Sequence, residues 1–483
     1  MSIENLEPKK VWKHFYALTQ IARPSKHEEK AVKFVTDFGK KLGLKTIVDE
    51  VGNVIICKPA TKGMENCKGI ILQSHLDMVP QKNSDVAHDF EKDPIQAYID
   101  GEWVKAKGTT LGADNGLGVA LAMAILEADD LQHGALEALF TVDEETGMTG
   151  ALNLKPDLLK GDILINLDSE EVGELCIGCA GGLNANFTFT YKEEAAPAGY
   201  EAYKINVTGL KGGHSGCDIH LGRGNSCKII FRVLKQLEKE GVRLASVEAG
   251  NMRNAIPREG VAIVVAPAGK AIAVKNMVEE VQKTVFAELA AADAGVKITI
   301  ASTAMPASVM DTKSQQTLYA GVYACPSGVV RMSDAMPNLV ETSNNLSIVK
   351  SEKGKVEITC LLRSSVDSAK EDLSVLMRSL FEIAGAQCEF SGGYPGWRPN
   401  PASPILAAMK EILKKMTGKE PIVNAVHAGL ECGLLGGKYP DLDMISCGPT
   451  VMNPHSPDEK TNIASVDFTW KFLVEALKNT PKK

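Results

Sequence analysis

Short apolar runs that end in carboxylate or imidazole side chains recur at well-separated places in the chain. Ile70-Ile71-Leu72 leads into Gln73-Ser74-His75-Leu76-Asp77, and a run over 136–142 leads into Asp143-Glu144-Glu145-Thr146-Gly147. A run over 163–167 leads into Asp168-Ser169-Glu170-Glu171, and Met444-Ile445-Ser446 leads through Gly448-Pro449-Thr450 to Asn453-Pro454-His455-Ser456-Pro457. Asp114 stands in a fifth, glycine-flanked turn, Leu111-Gly112-Ala113-Asp114-Asn115-Gly116, ahead of an apolar helical stretch over 119–126. Two imidazoles and three carboxylates from five loops form a donor set of the kind Zn²⁺ accepts, and one carboxylate can bridge two ions. The chemistry this points to is two-metal hydrolysis. His75 and Asp77 are two apart and so point the same way on an extended segment, which lets the Asp take the second imidazole proton and orient the ring. Adjacent Glu144 and Glu145 point differently, so one can ligate while its neighbour faces a reacting water as general base.

Each of these pieces has a plainer reading by itself: a lone His at a strand end is usually just hydrogen-bonded, and Glu-Glu on a loop is usually solvated. Their joint occurrence at strand ends and tight glycine turns outweighs that reading. Other motifs fall away. Cys176-Ile177-Gly178-Cys179 is a single CxxC without a second pair, and Gly116-Leu117-Gly118 lacks the third glycine of a dinucleotide fingerprint and sits beside an Asp that repels phosphate. His14, His27, His88, His133 and His220 have no comparable setting, and His427, in a His-Ala-Gly segment, is either a cleft residue or a structural support.

These groups need elements to bring them together. Apolar spacing predicts a helix over 28–42, and β-formers predict strands over 54–57, 69–72, 136–142 and 163–167. Helices on a mostly parallel sheet are the natural arrangement, and in such a sheet the carboxyl ends of the strands share one edge where the five loops could meet. From about residue 195 the texture becomes that of an inserted α+β lobe, with a strand over 203–207, helices over 225–240 and 273–291, and a hairpin from 346–349 and 356–362. After Tyr394 the earlier pattern returns, with a helix over 404–416, a strand over 443–446 and a helix over 465–477.

At 483 residues, 44% apolar and 23% charged, the chain is an ordinary globular composition large enough for two or three domains, which excludes a small binding module, coiled coil or disordered tail. Sixty acidic against 53 basic residues give a net charge of −7 with no basic stripe, so no nucleic-acid partner is expected. Eleven scattered cysteines in a chain of this size suit free thiols in a reducing cytoplasm. No apolar stretch reaches the ~18 residues of a membrane span, and none comes after Lys9 and Lys10 as a secretion signal requires.

The motifs around His75, Asp114, Glu144-Glu145, Asp168 and His455 resemble, in order, those of the M20 family of co-catalytic zinc peptidases. The likeness continues through Lys211-Gly212-Gly213-His214-Ser215-Gly216, Arg253-Asn254-Ala255-Ile256-Pro257-Arg258, Leu362-Arg363-Ser364 and His427-Ala428-Gly429-Leu430-Glu431. It covers nearly the whole chain and looks like the cytosolic non-specific dipeptidase, or aminoacyl-histidine dipeptidase, branch. The resemblance implies an α/β, zinc-peptidase-like catalytic domain over 1–186 and 393–483, with a mostly parallel central sheet and helices on both faces. An inserted α+β lid and dimerisation domain would span 187–392.

By the same resemblance two Zn²⁺ ions per subunit, replaceable by Mn²⁺ or Co²⁺, are bridged by Asp114. His75 and Asp168 complete one site and Glu145 and His455 the other, with Glu144 as general base to a water shared by the ions and Asp77 as orienting residue. His214, Asn254, Arg363 and Gly429 would serve substrate and oxyanion, with His214 acting in its own subunit or across a homodimer. The implied activity is hydrolysis of unblocked dipeptides with broad specificity, Xaa-His dipeptides such as carnosine included. The alternatives are N-acyl amino acid deacylation, a tripeptidase or aminopeptidase role, and a metal-binding scaffold without turnover.

Overall fold

The computed structural model describes residues 2–483. The chain divides into two compact units, one of Met1–Gly178, Pro399–Ala425 and Leu430–Lys483, the other of Cys179–Arg398 and Val426–Gly429.

The first unit is built on an eight-stranded sheet. Its spatial order is Lys45–Val48, Val54–Lys58, Leu136–Thr141, Ile70–His75, Ile163–Asn166, Asp443–Ser446, Glu174–Cys179 and Ile422–Val426. The four middle strands, from Leu136–Thr141 to Asp443–Ser446, run parallel. Every residue of the first three of these is buried, as expected of strands covered on both faces. Antiparallel pairings flank them on both sides, so the sheet is mixed rather than mostly parallel. The outer strands Lys45–Val48 and Val54–Lys58 form a hairpin, and a hairpin can only add antiparallel strands.

Register puts the chemistry at one edge. His75 lies opposite Thr141, Gln73 opposite Asn166, and Asn166 opposite Ser446, so the parallel strands end level and the loops leaving them emerge side by side. The helix Ala113–Glu127 is apolar on every side and almost wholly buried, packed against the strand Ile70–His75 and the helix Lys9–Thr19. A separate four-stranded sheet, ordered Val451–Met452, Lys460–Asn462, Trp103–Ala106 and Ala97–Asp100, places the loop over 453–459 beside the chain that leads into Asp114.

The second unit is a nine-stranded antiparallel sheet with helices Ser226–Leu237, Ala271–Leu289, Thr312–Ala324 and Asp367–Ile383. Asn225 begins the first of these by accepting the Lys228 amide. Phe187, Phe231, Tyr319 and Phe381 lie in its core.

This unit begins at Cys179, earlier than the expected boundary at 187. The strand Gly181–Thr190 pairs along its whole length with Lys355–Ser364, a partner far along the chain that composition near residue 187 does not reveal. Residues 426–429 also belong here, since Val426 and Ala428 accept hydrogen bonds from the Ala180 amide. The expected hairpin is longer than its apolar runs, Val340–Glu352 against Lys355–Ser364, with Lys353 and Gly354 both at positive φ in a two-residue turn. Its extension through Thr342, Ser343, Asn344 and Asn345 is buried though polar, which hid it from hydrophobic patterning.

Candidate functional site

In the first unit His75 is the last residue of its strand, and Glu144 and Glu145 open a one-turn helix behind Asp143. Asp168 lies two residues past Asn166, Asp114 stands in the irregular first turn of the helix Ala113–Glu127, and His455 sits in the loop between Val451–Met452 and Lys460–Asn462. The Asp114–Asn115 peptide is cis. Asp143 and His455 both adopt left-handed backbone, φ 54° and 59°, a conformation that non-glycine residues keep only where the surroundings impose it.

These residues converge. His75 Nε2 lies 3.1 Å from Asp114 Oδ1 and 3.4 Å from Asp168 Oδ1. His455 Nε2 lies 3.1 Å from Asp114 Oδ2 and 3.0 Å from Glu145 Oε2. The Asp114 carboxylate therefore shows one oxygen to each imidazole, and two donor sets share it. Donors ~2.1 Å from one ion at tetrahedral angles stand roughly 3.4 Å apart, close to these separations. Glu145 Oε1 is buried without a hydrogen-bond partner, an acceptor facing nothing that donates. The residues fit a pair of metal ions.

Asp77 ties the cluster together by hydrogen bonds. Its Oδ1 lies 3.2 Å from His75 Nδ1 and accepts the Glu144 amide, and its Oδ2 accepts the Glu145 amide and the Ser25 hydroxyl. With Nδ1–H given to Asp77, His75 Nε2 is left to act as a ligand. Asn115 Nδ2 donates to Leu167 O at 2.8 Å and to Asp168 Oδ1.

The crowded carboxylates set a strongly negative field. Burial pushes Glu144 well above the usual carboxylate range, with Asp168, Glu431 and Glu145 adding to the effect against His75. Burial likewise drives Glu170 up to about 8, helped by Asp114 and Asp168. Hydrogen bonds donated to Asp114 and Glu145 raise His455 to about 11. Asp77 is held at about 2 against its burial by His75 and the donors it accepts. A field that favours positive charge at this point suits dications.

In the second unit another cluster forms. His214 lies opposite Ala255 in a short antiparallel pair, and the next residue, Ser215, donates its amide to Asn254 O at 2.9 Å. Arg363, 4% exposed, places its guanidinium 3.2 and 3.3 Å from Ser215 Oγ, 3.3 Å from Tyr394 Oη and 3.4 Å from His214 Nε2. These are long contacts to neutral groups, and no carboxylate faces this buried cation among the described residues. His214 Nδ1 accepts the amides of Gly216 and Cys217, which puts the ring proton on Nε2 as a donor, so the 3.4 Å approach of the Arg363 guanidinium to that nitrogen is not a hydrogen bond. Burial and then Arg363 lower its pKa to about 4, so the ring is neutral. His427, buried and lowered to about 3 by burial and Arg363, bonds Ser343 Oγ at 2.7 Å, and Gly429 stands two residues on. Asn254 itself is exposed.

Comparison with known proteins decides the relationship. The sequence matches the peptidase family M20/M25/M40 over residues 71–479. The chain belongs to this family. It is 45% identical over 482 residues to the cytosol non-specific dipeptidase of Escherichia coli (strain K12), covering 100% of this chain and 99% of that one. The crystal structure of aminoacylhistidine dipeptidase from Vibrio alginolyticus superposes with a TM-score of 0.93 at 45% identity, covering 100% of this chain and 99% of the other. An aminopeptidase PepT from Bacillus cereus ATCC 10987 shares the fold at TM-score 0.57 and 16% identity, over 98% of each chain.

Set in this M20 fold, several further residues surround the cluster to which the sequence assigned no role. Ser25 and Glu28 hold Asp77 and the Asp143 amide, and Glu431, fully buried, accepts from Gln73 Nε2 at 2.6 Å and Thr141 Oγ1 at 2.7 Å just behind His75. Ser25 and Glu28 stand in the polar stretch Arg23-Pro24-Ser25-Lys26-His27-Glu28, which reads as a solvated loop, while Glu431 is an acidic residue in a glycine-rich segment. His14 pairs with Glu127 and His133 with Gly134 O, both structural. Cys176 and Cys179 lie three apart in one strand and so point to opposite faces.

Proposed function

We propose that this chain is a metal-dependent dipeptidase that hydrolyses unblocked dipeptides with broad specificity, Xaa-His dipeptides such as carnosine included. The observation that carries the reading is the Asp114 carboxylate, which sets one oxygen 3.1 Å from His75 and the other 3.1 Å from His455. Full-length likeness to two proteins named as dipeptidases supports the substrate class.

In this reading His75, Asp114 and Asp168 would hold one Zn²⁺ and Asp114, Glu145 and His455 the other, with Mn²⁺ or Co²⁺ able to substitute. Such ions lower the pKa of water toward neutrality and polarise a carbonyl. Glu144 takes the water's proton and hands it to the leaving amine, the task of a carboxylate held beside the reacting water. Asp77 keeps the His75 ring in the tautomer that leaves Nε2 free. His214 Nε2–H is a neutral donor suited to an oxygen that becomes negative as the carbonyl is attacked. Arg363, a buried fork without an acidic partner, takes the peptide's carboxylate by paired hydrogen bonds, and Asn254 and the Gly429 backbone help hold that end. The clamp makes a free carboxylate next to the scissile bond a condition for binding, which limits peptide length.

The same reading has the chain act in the cytoplasm as a homodimer joined through its second unit, which serves as a lid. No helix among the described residues is long and apolar enough to cross a membrane. Turnover of a panel of Xaa-His and other dipeptides, tripeptides and N-acetyl amino acids tests the substrate class. Dipeptides should be the best substrates by a wide margin, and preference for acylated amino acids or tripeptides overturns the assignment.

A further inference from the structure

Glu459 offers nothing to the two donor sets, yet its side chain joins the loops that carry two of their members. The loop over 453–459 leaves Val451–Met452 and returns as Lys460–Asn462, and these ends are paired, Val451 with Thr461 and Met452 with Lys460. His455 rides on this loop and Glu459 stands four residues later, 2% exposed. The Glu459 carboxylate accepts four successive backbone amides from the other loop. Oε2 takes Leu111 at 2.6 Å and Gly112 at 3.0 Å, and Oε1 takes Ala113 at 2.7 Å and Asp114 at 3.3 Å.

These amides lie at the start of the helix Ala113–Glu127, where the first N–H groups lack partners within the helix and favour negative charge. From the other side Arg23, 2% exposed, donates to Gly112 O at 2.5 Å and to Leu76 O and Asp77 O at 2.9 Å each. The peptide at Gly112 is held on both sides, and a Cβ there would lie 2.6 Å from the Arg23 guanidinium. Asp114 has only two side-chain torsions, so where its oxygens fall is decided by where its backbone is held. Glu459 holds that backbone to the loop of His455.

We propose that Glu459 is a positioning residue that sets the spacing of Asp114 and His455, and so tunes the ion site His455 shares with Glu145 and Asp114 without touching substrate. The inference rests on the two-metal reading above. The test is titration of chelator-stripped protein with Co²⁺, monitored by visible absorption, with dipeptide kinetics alongside. Wild-type protein that takes up no Co²⁺ defeats the metal reading itself, before any variant is compared. Given wild-type uptake, Glu459→Gln should weaken one Co²⁺ equivalent by about 10–100-fold, the range seen when groups supporting metal ligands are lost. An amide nitrogen would then face two of the four N–H donors. The Co²⁺ spectrum should change, and kcat should fall with KM unaltered. Glu459→Asp, which keeps the carboxylate, should recover part of the affinity, and it serves alone if the Gln variant does not fold, with a loss of severalfold then expected. Wild-type Co²⁺ affinity and spectrum in the folded variant, or a KM effect at constant kcat, overturns the proposal.

Discussion

Asp77 has two carboxylate oxygens and four donors to serve: the His75 ring, the Ser25 hydroxyl and the amides of Glu144 and Glu145. One side chain thereby fixes a proposed ligand's tautomer and the start of the one-turn helix that presents both glutamates. The division of labour between those glutamates can be separated experimentally. Glu144→Gln should lower kcat by about 10²–10⁴-fold while the metal content measured on the purified variant stays at the wild-type level. Unchanged hydrolysis with metal bound would remove Glu144 as the base.

His427 gives a prediction in pH. Its folded pKa near 3 lies below its ordinary value of 6.5, so between these values the unfolded chain binds a proton that the folded chain does not. Stability linked to this ring is unaffected above pH 6.5 and falls as pH drops through the window toward 3. Denaturant midpoints at pH 7.5 and 5 should therefore fall less in His427→Gln than in wild type. Equal losses would show that the ring is not buried neutral. The donors at strand ends were legible because a side chain that breaks an apolar run is conspicuous. Arg23 and Glu459 were not, because an isolated charge in a loop reads as solvated until its buried partners, up to 348 residues away, are known.

Among the strands and loops, level ends matter more than any single contact. Gly448 passes so close to the loop that follows the strand Ile163–Asn166 that a Cβ would sit 1.8 Å from the Ser169 carbonyl oxygen, against backbone and with no side chain able to move aside. Gly448→Ala should destabilise the first unit by roughly 1–3 kcal/mol and, by displacing the neighbouring Asp168, lower metal content. A thermal melt and metal analysis identical to wild type would mean the segments separate without consequence. The parallel centre of the sheet could be read from its short apolar strands, each leading into the groups it presents. The antiparallel flanks could not, because pairing direction depends on which connections are hairpins. The start of the second unit escapes sequence patterning for a related reason, since the strand Gly181–Thr190 finds its partners only after residue 355.

For the molecule as a whole, charge is decisive. Asp114, Glu144, Glu145 and Asp168 are brought together in the first unit, where their mutual repulsion disfavours folding unless positive charge joins them. Ions that bind only the folded chain should raise its stability, by about 2.7 kcal/mol at a free concentration one hundred times their Kd, so the melting temperature should fall on chelation and recover with Zn²⁺, Mn²⁺ or Co²⁺. Hydrolysis should be lost and regained in parallel. The most direct test is the metal content and dipeptide turnover of wild type beside Asp114→Ala. Two ions per wild-type chain, fewer than two in the variant and turnover lost with them are the results expected. Wild-type turnover in Asp114→Ala, or in protein stripped of all metal, would contradict it.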